Sequence, residues 1–164
     1  METLECYFIA ANRVVWQKIA DFCRYQPRSH QQVRQKLYGW KLAKSVVEPM
    51  LAALIEAQLV SESNFATAYA GERFRINRWG KNKVRQALQK RQISPYCIAR
   101  TIAAADPVQY EKDLQKLAEK KWSSFSGKGM HPCIRSKKTA AFLIGRGFES
   151  AVVWDIIRAF RTNG

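Results

Sequence analysis

The sequence predicts an all-α fold of three tandem three-helix, helix-turn-helix-like repeats in an elongated, curved arrangement. Three observations carry that prediction. Apolar residues recur at helical spacing throughout, no stretch alternates as a strand does, and one pattern of apolar positions occurs three times. Laying the stretch from Val33 over that from Val84, an offset of 51 residues, matches Leu37 with Leu88, Leu42 with Ile93, Val47 with Ile98 and Leu51 with Ile102. The stretch from Thr139, a further 55 residues on, puts Leu143, Phe148, Val153 and Ile157 at the same places. Each copy is too small to bury its apolar face without its neighbours or a tightly packed core of its own. The expected units are residues 1–60, 61–105 and 106–164.

Taken in order, the first helix is expected over Leu4 to Phe22, with Phe8, Ile9, Val15, Trp16, Ile19, Ala20 and Phe22 apolar, ending near Tyr25 to Pro27. Ser29 with Gln32 forms a capping box for a short helix to about Tyr38. Ser45 with Glu48 is a second candidate cap. Pro49 behind it calls for a late helix start or a kink, because it lacks an N–H. Ser61 is expected to cap a basic helix to about Arg78 that buries Phe65, Tyr69 and Ile76 on one side. Gly80 breaks it, and a helix from Lys81 to about Lys90 follows. Ser94-Pro95 and Asp106-Pro107 each give an N-cap with proline at the first helical position, Gln109 completing a capping box after Asp106. Ser123 to Pro132 reads as a mobile loop, Arg135 to Gly145 as a helix closed by Gly147, and Ser150 to Arg161 as the last helix.

Charge bounds the partner. Lys plus Arg is 28 against 13 for Asp plus Glu in 164 residues, a formal net charge of +15. Between Glu72 and Asp106 there are nine cations and no acid; between Asp21 and Glu48, and between Glu119 and Glu149, acids are again missing. Each block spans the middle helix of its unit, so a row of units would carry one cationic stripe. A negatively charged partner follows, nucleic acid or an acidic protein surface. No apolar run approaches the roughly 20 residues of a membrane-spanning helix, and the start lacks the basic residues of a signal peptide, so a cytoplasmic protein is expected. Cys6, Cys23, Cys97 and Cys133 are scattered without metal-ligand spacing and read as reduced thiols; His131 and Cys133 alone make no zinc site. The acids are too dispersed for metal-dependent phosphoryl chemistry, Glu111 and Asp113 facing different sides of their helix. No enzyme activity, catalytic residue, metal or cofactor is expected. Trp16, Trp40, Trp122 and Trp154 read as packing residues, with base stacking left open at Trp79.

At this point the residues resemble the RecX family, bacterial regulators of the RecA recombinase. Arg28-Ser29 followed by Val33, Lys36 and Leu37 is similar to the family's first motif, with Gln32 where glutamate is usual. Phe65-Ala66, Tyr69, Arg73, Gly80, Val84, Leu88 and Ile93 resemble its middle repeat, and Arg146-Gly147-Phe148 its last. The resemblance implies a monomeric, non-enzymatic negative regulator that lies in the groove of the RecA–DNA filament and limits filament growth, ATPase and strand exchange. The RecA filament and single-stranded DNA are the implied partners, with duplex DNA left open and no membrane. The central contact is expected from Arg73, Arg78, Lys81, Lys83 and Arg85, extended by Arg28, Arg34, Lys36, Lys137, Lys138 and Arg146. Charge reversal at Lys81 and Arg85 is expected to weaken filament binding without unfolding the chain. The alternative is a helix-turn-helix transcription regulator with Lys81, Lys83 and Arg85 in a DNA groove.

Overall fold

The computed structural model describes residues 12–125 and 129–162. Nine helices and no strand occur among them: α1 Arg13–Tyr25, α2 His30–Gly39, α3 Lys44–Glu56, α4 Glu62–Arg75, α5 Lys81–Gln89, α6 Pro95–Ala103, α7 Pro107–Ser123, α8 Pro132–Gly145 and α9 Ser150–Thr162. The chain divides into two compact units, one running through Ala68 with Gln89–Cys97, the other Tyr69–Leu88 with Ile98 onward. In the first, Ile19, Cys23, Val33, Leu37, Val47, Met50, Leu51 and Leu54 form a buried core, with Trp16, Phe22 and Trp40 packed at its margin. In the second, Leu114, Ala118, Leu143, Phe148, Val153 and Ile157 do the same, with Tyr110, Trp122 and Phe160 around them. Expectations for Phe8, Ile9, Cys6 and the centre of the 123–132 loop fall partly or wholly outside the described residues.

The threefold pattern is a pattern of burial. Leu37, Leu88 and Leu143 are fully buried, as are Val47 and Val153, while Ile93, Phe148, Ile98, Leu51, Ile102 and Ile157 are all buried. Leu42 alone is only half-buried. The same register repeats in the backbone, which the side chains did not announce. Lys41, Gln92 and Gly147, one residue before Leu42, Ile93 and Phe148, all have positive φ, at 59°, 59° and 94°. Each stands just past the end of the middle helix of its triplet and donates its N–H to a carbonyl three residues back, Tyr38, Gln89 or Ile144. That left-handed residue satisfies carbonyls left over at a helix end. Only the third copy has the glycine that accommodates it without strain.

Local signals set most helix starts. The Ser29 hydroxyl accepts from the Gln32 N–H while the Gln32 side chain accepts from the Ser29 N–H, the full capping box. Ser61 Oγ accepts from Asn64 N–H, Ser94 Oγ from Cys97 N–H, and Asp106 Oδ1 from Val108 and Gln109. Three expectations are corrected. Ser45 caps nothing: α3 starts behind Ala43, with Ser45 inside its first turn and Pro49 within the helix. Glu48 is taken instead by Arg34, whose guanidinium donates to both its oxygens at 3.0 Å, a fork stronger than a bond to a neutral backbone N–H. α4 ends at Arg75 rather than near Arg78, with Ile76 74% exposed and Arg78 at a positive φ of 50° that no α-helix contains. α8 starts at Pro132, three residues early, because the His131 ring accepts from Cys133 N–H and the proline needs no partner for a missing donor.

Since an L-residue in the left-handed region costs roughly 1–2 kcal/mol and glycine returns part of that as unfolded-chain entropy, Lys41→Gly and Gln92→Gly should each raise stability by about 0.5–1 kcal/mol in urea unfolding. Gly147→Ala should lower it; a neutral result at all three positions would show that this backbone geometry is not shared.

Candidate nucleic-acid interface

The second unit is built on a contact between backbones. Gly80 precedes α5, and a Cβ placed on it would lie 2.1 Å from both the Gly147 carbonyl carbon and the Phe148 nitrogen. One on Gly147 would lie 2.2 Å from Lys83 Cβ. Only two glycines let the start of α5 meet the end of α8 so closely. Three consecutive N–H groups at that start are thereby satisfied: Gly80 donates to Arg146 O at 2.9 Å, Lys81 to the Tyr110 hydroxyl at 3.0 Å, and Asn82 to Gly147 O at 3.0 Å. A free helix N-terminus would attract a phosphate; here its donors are taken, so anion recognition falls to side chains.

Tyr110 sits at the hub of this junction. Its hydroxyl accepts from Lys81 N–H and donates to Glu149 Oε2 at 2.6 Å, and its ring lies 5.4 Å from Phe148 and 6.0 Å, edge-on, from Phe74. Burial, and then the bond to Glu149, push its ionisation far above the usual phenol range. The Lys81 ammonium lies 4.7 Å over the same ring and 4.0 Å from Glu149 Oε1. Lys81 is therefore engaged inside the fold, and reversing its charge would set a carboxylate against Glu149. It is not a clean probe of binding.

Other cations of the unit gather around Trp79. The Arg73 guanidinium lies 5.2 Å from the indole centroid and 4.7 Å from that of Tyr69, and Arg73 donates to Asn77 Oδ1 at 2.9 Å. The Lys83 ammonium stands 4.7 Å over the Trp79 ring. Arg146 donates to Asn77 O at 3.1 Å and lies 5.6 Å from the Phe142 ring. Among the described residues no carboxylate comes within 4 Å of the charged groups of Lys83, Arg85 or Arg146; Arg73 has Glu72 at 3.7 Å and Arg78 has Asp113 at 3.8 Å. Arg85 is exposed and bonds Asn82 Oδ1 at 2.7 Å. On α8, Lys137 and Lys138 are exposed, Lys138 lying 6.0 Å from the Phe125 ring.

The first unit holds its three predicted contacts differently. Arg34 is spent on Glu48, whose acidity it raises. Arg28 lies 4.0 Å over the Phe22 ring, and Lys36 lies 5.3 Å from Phe22 and 5.8 Å from Trp40. A separate open concavity of this unit, about 550 Å³ and lined by His30, Glu62 and Cys97 among others, has a carboxylate at its wall: Glu62 stands 3.8 Å from His30 and accepts from Ser94 N–H at 3.2 Å. Cys23 is buried in the core, its thiol pushed up to about 11 by that burial. Among the described residues no cluster of three His, Cys, Asp or Glu is placed to hold a metal, and no helix is long and apolar enough to cross a membrane.

The Tyr110–Glu149–Lys81 junction was not foreseen, and its trace in the sequence is limited to the glycines Gly80, just before α5, and Gly147, just after α8. The Trp79 cluster joins residues from α4, α5 and the end of α8 that sequence spacing alone does not bring together.

Among the described residues, an all-helical chain presents cations without ion-pair partners beside aromatic rings, an arrangement suited to an anionic surface. The comparisons narrow this. Residues 61–102 match a family profile described as RecX, second three-helix domain. The regulatory protein RecX of Clostridium acetobutylicum is 23% identical over 133 residues, 80% of this chain and 61% of the relative, so the chain spans about three fifths of that relative's length. A crystal structure of regulatory protein RecX superposes with a TM-score of 0.78 at 24% identity, over 88% of this chain and 70% of the other. RecX from Lactobacillus salivarius gives 0.79 at 18%, over 90% and 94%. At those identities the structures establish the fold. Residues 61–102 thus match the second three-helix domain of RecX, and over most of its length the chain is similar to proteins named regulatory protein RecX.

Tyr110→Phe removes an acceptor for Lys81 N–H and a donor to Glu149, and should cost about 1–3 kcal/mol. Because the phenol's folded-state ionisation lies above its ordinary value of 10.0, its contribution is complete below pH 10 and is lost as pH rises further. Alkaline unfolding curves of the wild type and Tyr110→Phe should therefore converge above pH 10; curves that stay parallel would remove the hydroxyl from the junction.

Proposed function

We propose that the chain is a non-enzymatic negative regulator of RecA, binding the RecA–DNA filament through its cationic faces and limiting filament growth, ATPase and strand exchange. It would act in the cytoplasm, as a monomer and without a cofactor, the three repeats serving as domains with the boundaries given above. The observation that carries this reading is the coincidence of similarity to RecX proteins with cations that the fold leaves without ion-pair partners among the described residues. Lys83, Arg85, Arg146, Lys137 and Lys138 face no carboxylate at ion-pair distance among the described residues, so their charge is available to phosphates or acidic side chains. Arg34 and Lys81, engaged with Glu48 and Glu149, contribute less. Filament binding of this kind neutralises phosphates and so weakens as salt rises.

The direct test is the single-stranded-DNA-dependent ATPase of the host's RecA as the protein is titrated in, with occupancy of free DNA followed at the same salt. Inhibition where free DNA is hardly occupied supports filament binding; inhibition that tracks DNA occupancy means competition for DNA. Absence of inhibition together with tight duplex binding would point instead to a helix-turn-helix DNA-binding regulator. Lys83→Glu with Arg85→Glu should weaken inhibition at least about tenfold and flatten its salt dependence by roughly one or two counterions, with helix content unchanged. Full inhibition by this folded double variant would take the α5 cations out of the contact.

A further inference from the structure

Trp79 is held as though for presentation. Its own N–H is bonded to Arg73 O at 3.1 Å, the Gly80 N–H beside it to Arg146 O at 2.9 Å, and the Asn77 carbonyl two residues back to the Arg146 guanidinium at 3.1 Å. Between them Arg78 is forced to a φ of 50°, a conformation uncommon for a residue other than glycine and one that persists only where surrounding structure imposes it. Arg73 lies over both the Tyr69 and Trp79 rings although its Nε is buried without a hydrogen-bond partner. The half-buried indole is thus fixed at its backbone on both sides, with Arg73 and Lys83 beside its ring. Glu72 and Asp113 are the carboxylates nearest to this group.

Resting on the regulator reading above, we propose that Trp79 is a nucleobase platform: in single-stranded nucleic acid bound to the second unit, one base stacks on its indole while Lys83 takes a flanking phosphate. Two features select this ligand. A rigid aromatic face among cations fits an unpaired base with its charged backbone, whereas the bases of a duplex are already stacked on one another. The Lys83 ammonium that stands over the ring is on a flexible stem and makes a cation–π contact weaker than base–aromatic stacking, so a base displaces it and leaves the charge beside the phosphate.

The experiment titrates the wild type, Trp79→Ala and Trp79→Phe against a labelled oligothymidylate, the same strand with abasic residues, the corresponding duplex and polyglutamate, with circular dichroism confirming the fold. Trp79→Ala should bind the oligothymidylate roughly 5- to 100-fold more weakly, and Trp79→Phe should keep most of the affinity. Removing the bases should weaken the wild type by a comparable factor and Trp79→Ala hardly further. Equal losses for wild type and Trp79→Ala on the abasic strand would overturn the platform, as would unchanged binding by a folded Trp79→Ala or an equal loss on duplex or polyglutamate. Should Trp79→Ala not fold, photocrosslinking of a 5-iodouridine strand to the wild type decides: a crosslink on Trp79 supports the proposal and one confined to other residues refutes it. RecA ATPase inhibition by the same wild-type preparation is read separately. A wild type that binds bases through Trp79 but fails to inhibit RecA sinks the regulator reading alone; one that inhibits RecA without base dependence sinks the platform alone.

Discussion

Where α5 begins, two stretches of backbone approach more closely than any side chain would permit. Gly80 and Gly147 meet with room for hydrogens only, and that proximity lets the carbonyls at the end of α8 receive the N–H groups at the start of α5. A helix start buried against protein must find partners for its first donors, each costing about 1–3 kcal/mol if left bare. The fold supplies them from Arg146, Gly147 and Tyr110, and the rest of the second unit is arranged around this arrangement of donors. The positive φ of Gly147 turns the chain into Phe148, which enters the core beside Leu143 and Val153. Tyr110 crosses from α7 to tie Lys81 to Glu149. Arg146, whose carbonyl serves Gly80, reaches back with its side chain to Asn77 and so fixes the segment that carries Arg78 and Trp79.

The same constraint sorts the charges. A formal net charge of +15 would repel itself in a compact domain, and several of the few acids are set against particular cations: Glu48 against Arg34, Glu149 against Lys81, Asp113 against Arg78. Aromatic rings hold several of the others. Phe22 lies under Arg28 and Lys36, and Trp79 lies near Arg73 and Lys83. A ring engages a cation without neutralising it, so these side chains are positioned while their charge remains available. Exposed ion pairs are worth little. The functional consequence of the arrangement lies in which cations it leaves unmatched.

Much of the fold is legible in the residues because burial repeats with a fixed register. Leu37, Leu88 and Leu143 could be aligned by eye, and all three are fully buried; Ser29, Ser61, Ser94 and Asp106 announce helix starts through oxygens within bonding reach of their own backbone. The departures lie where another partner takes the place of the expected one. Glu48 left the cap expected of it for the Arg34 fork, fourteen residues away. His131, an uncommon cap, moved the start of α8 to Pro132. Lys41 and Gln92 give no composition signal of a left-handed turn, since the turn is imposed by the helix pair on either side; only the glycine of the third copy betrays it.

For the candidate site, the sequence by itself determined the sign and amount of charge, its concentration in three acid-free blocks and the all-helical repeat, because these depend on residue type and on spacing along the chain. Only the tertiary structure decided which cations are spent internally and which are free. Pairing distance is a matter of fractions of an ångström between residues such as Lys81 and Glu149, sixty-eight positions apart, and no local pattern encodes it. Trp79 shows both halves: its type and its basic neighbours are written in the chain, but its place among Arg73, Lys83 and the Arg146-anchored backbone exists only once Gly80 and Gly147 have met.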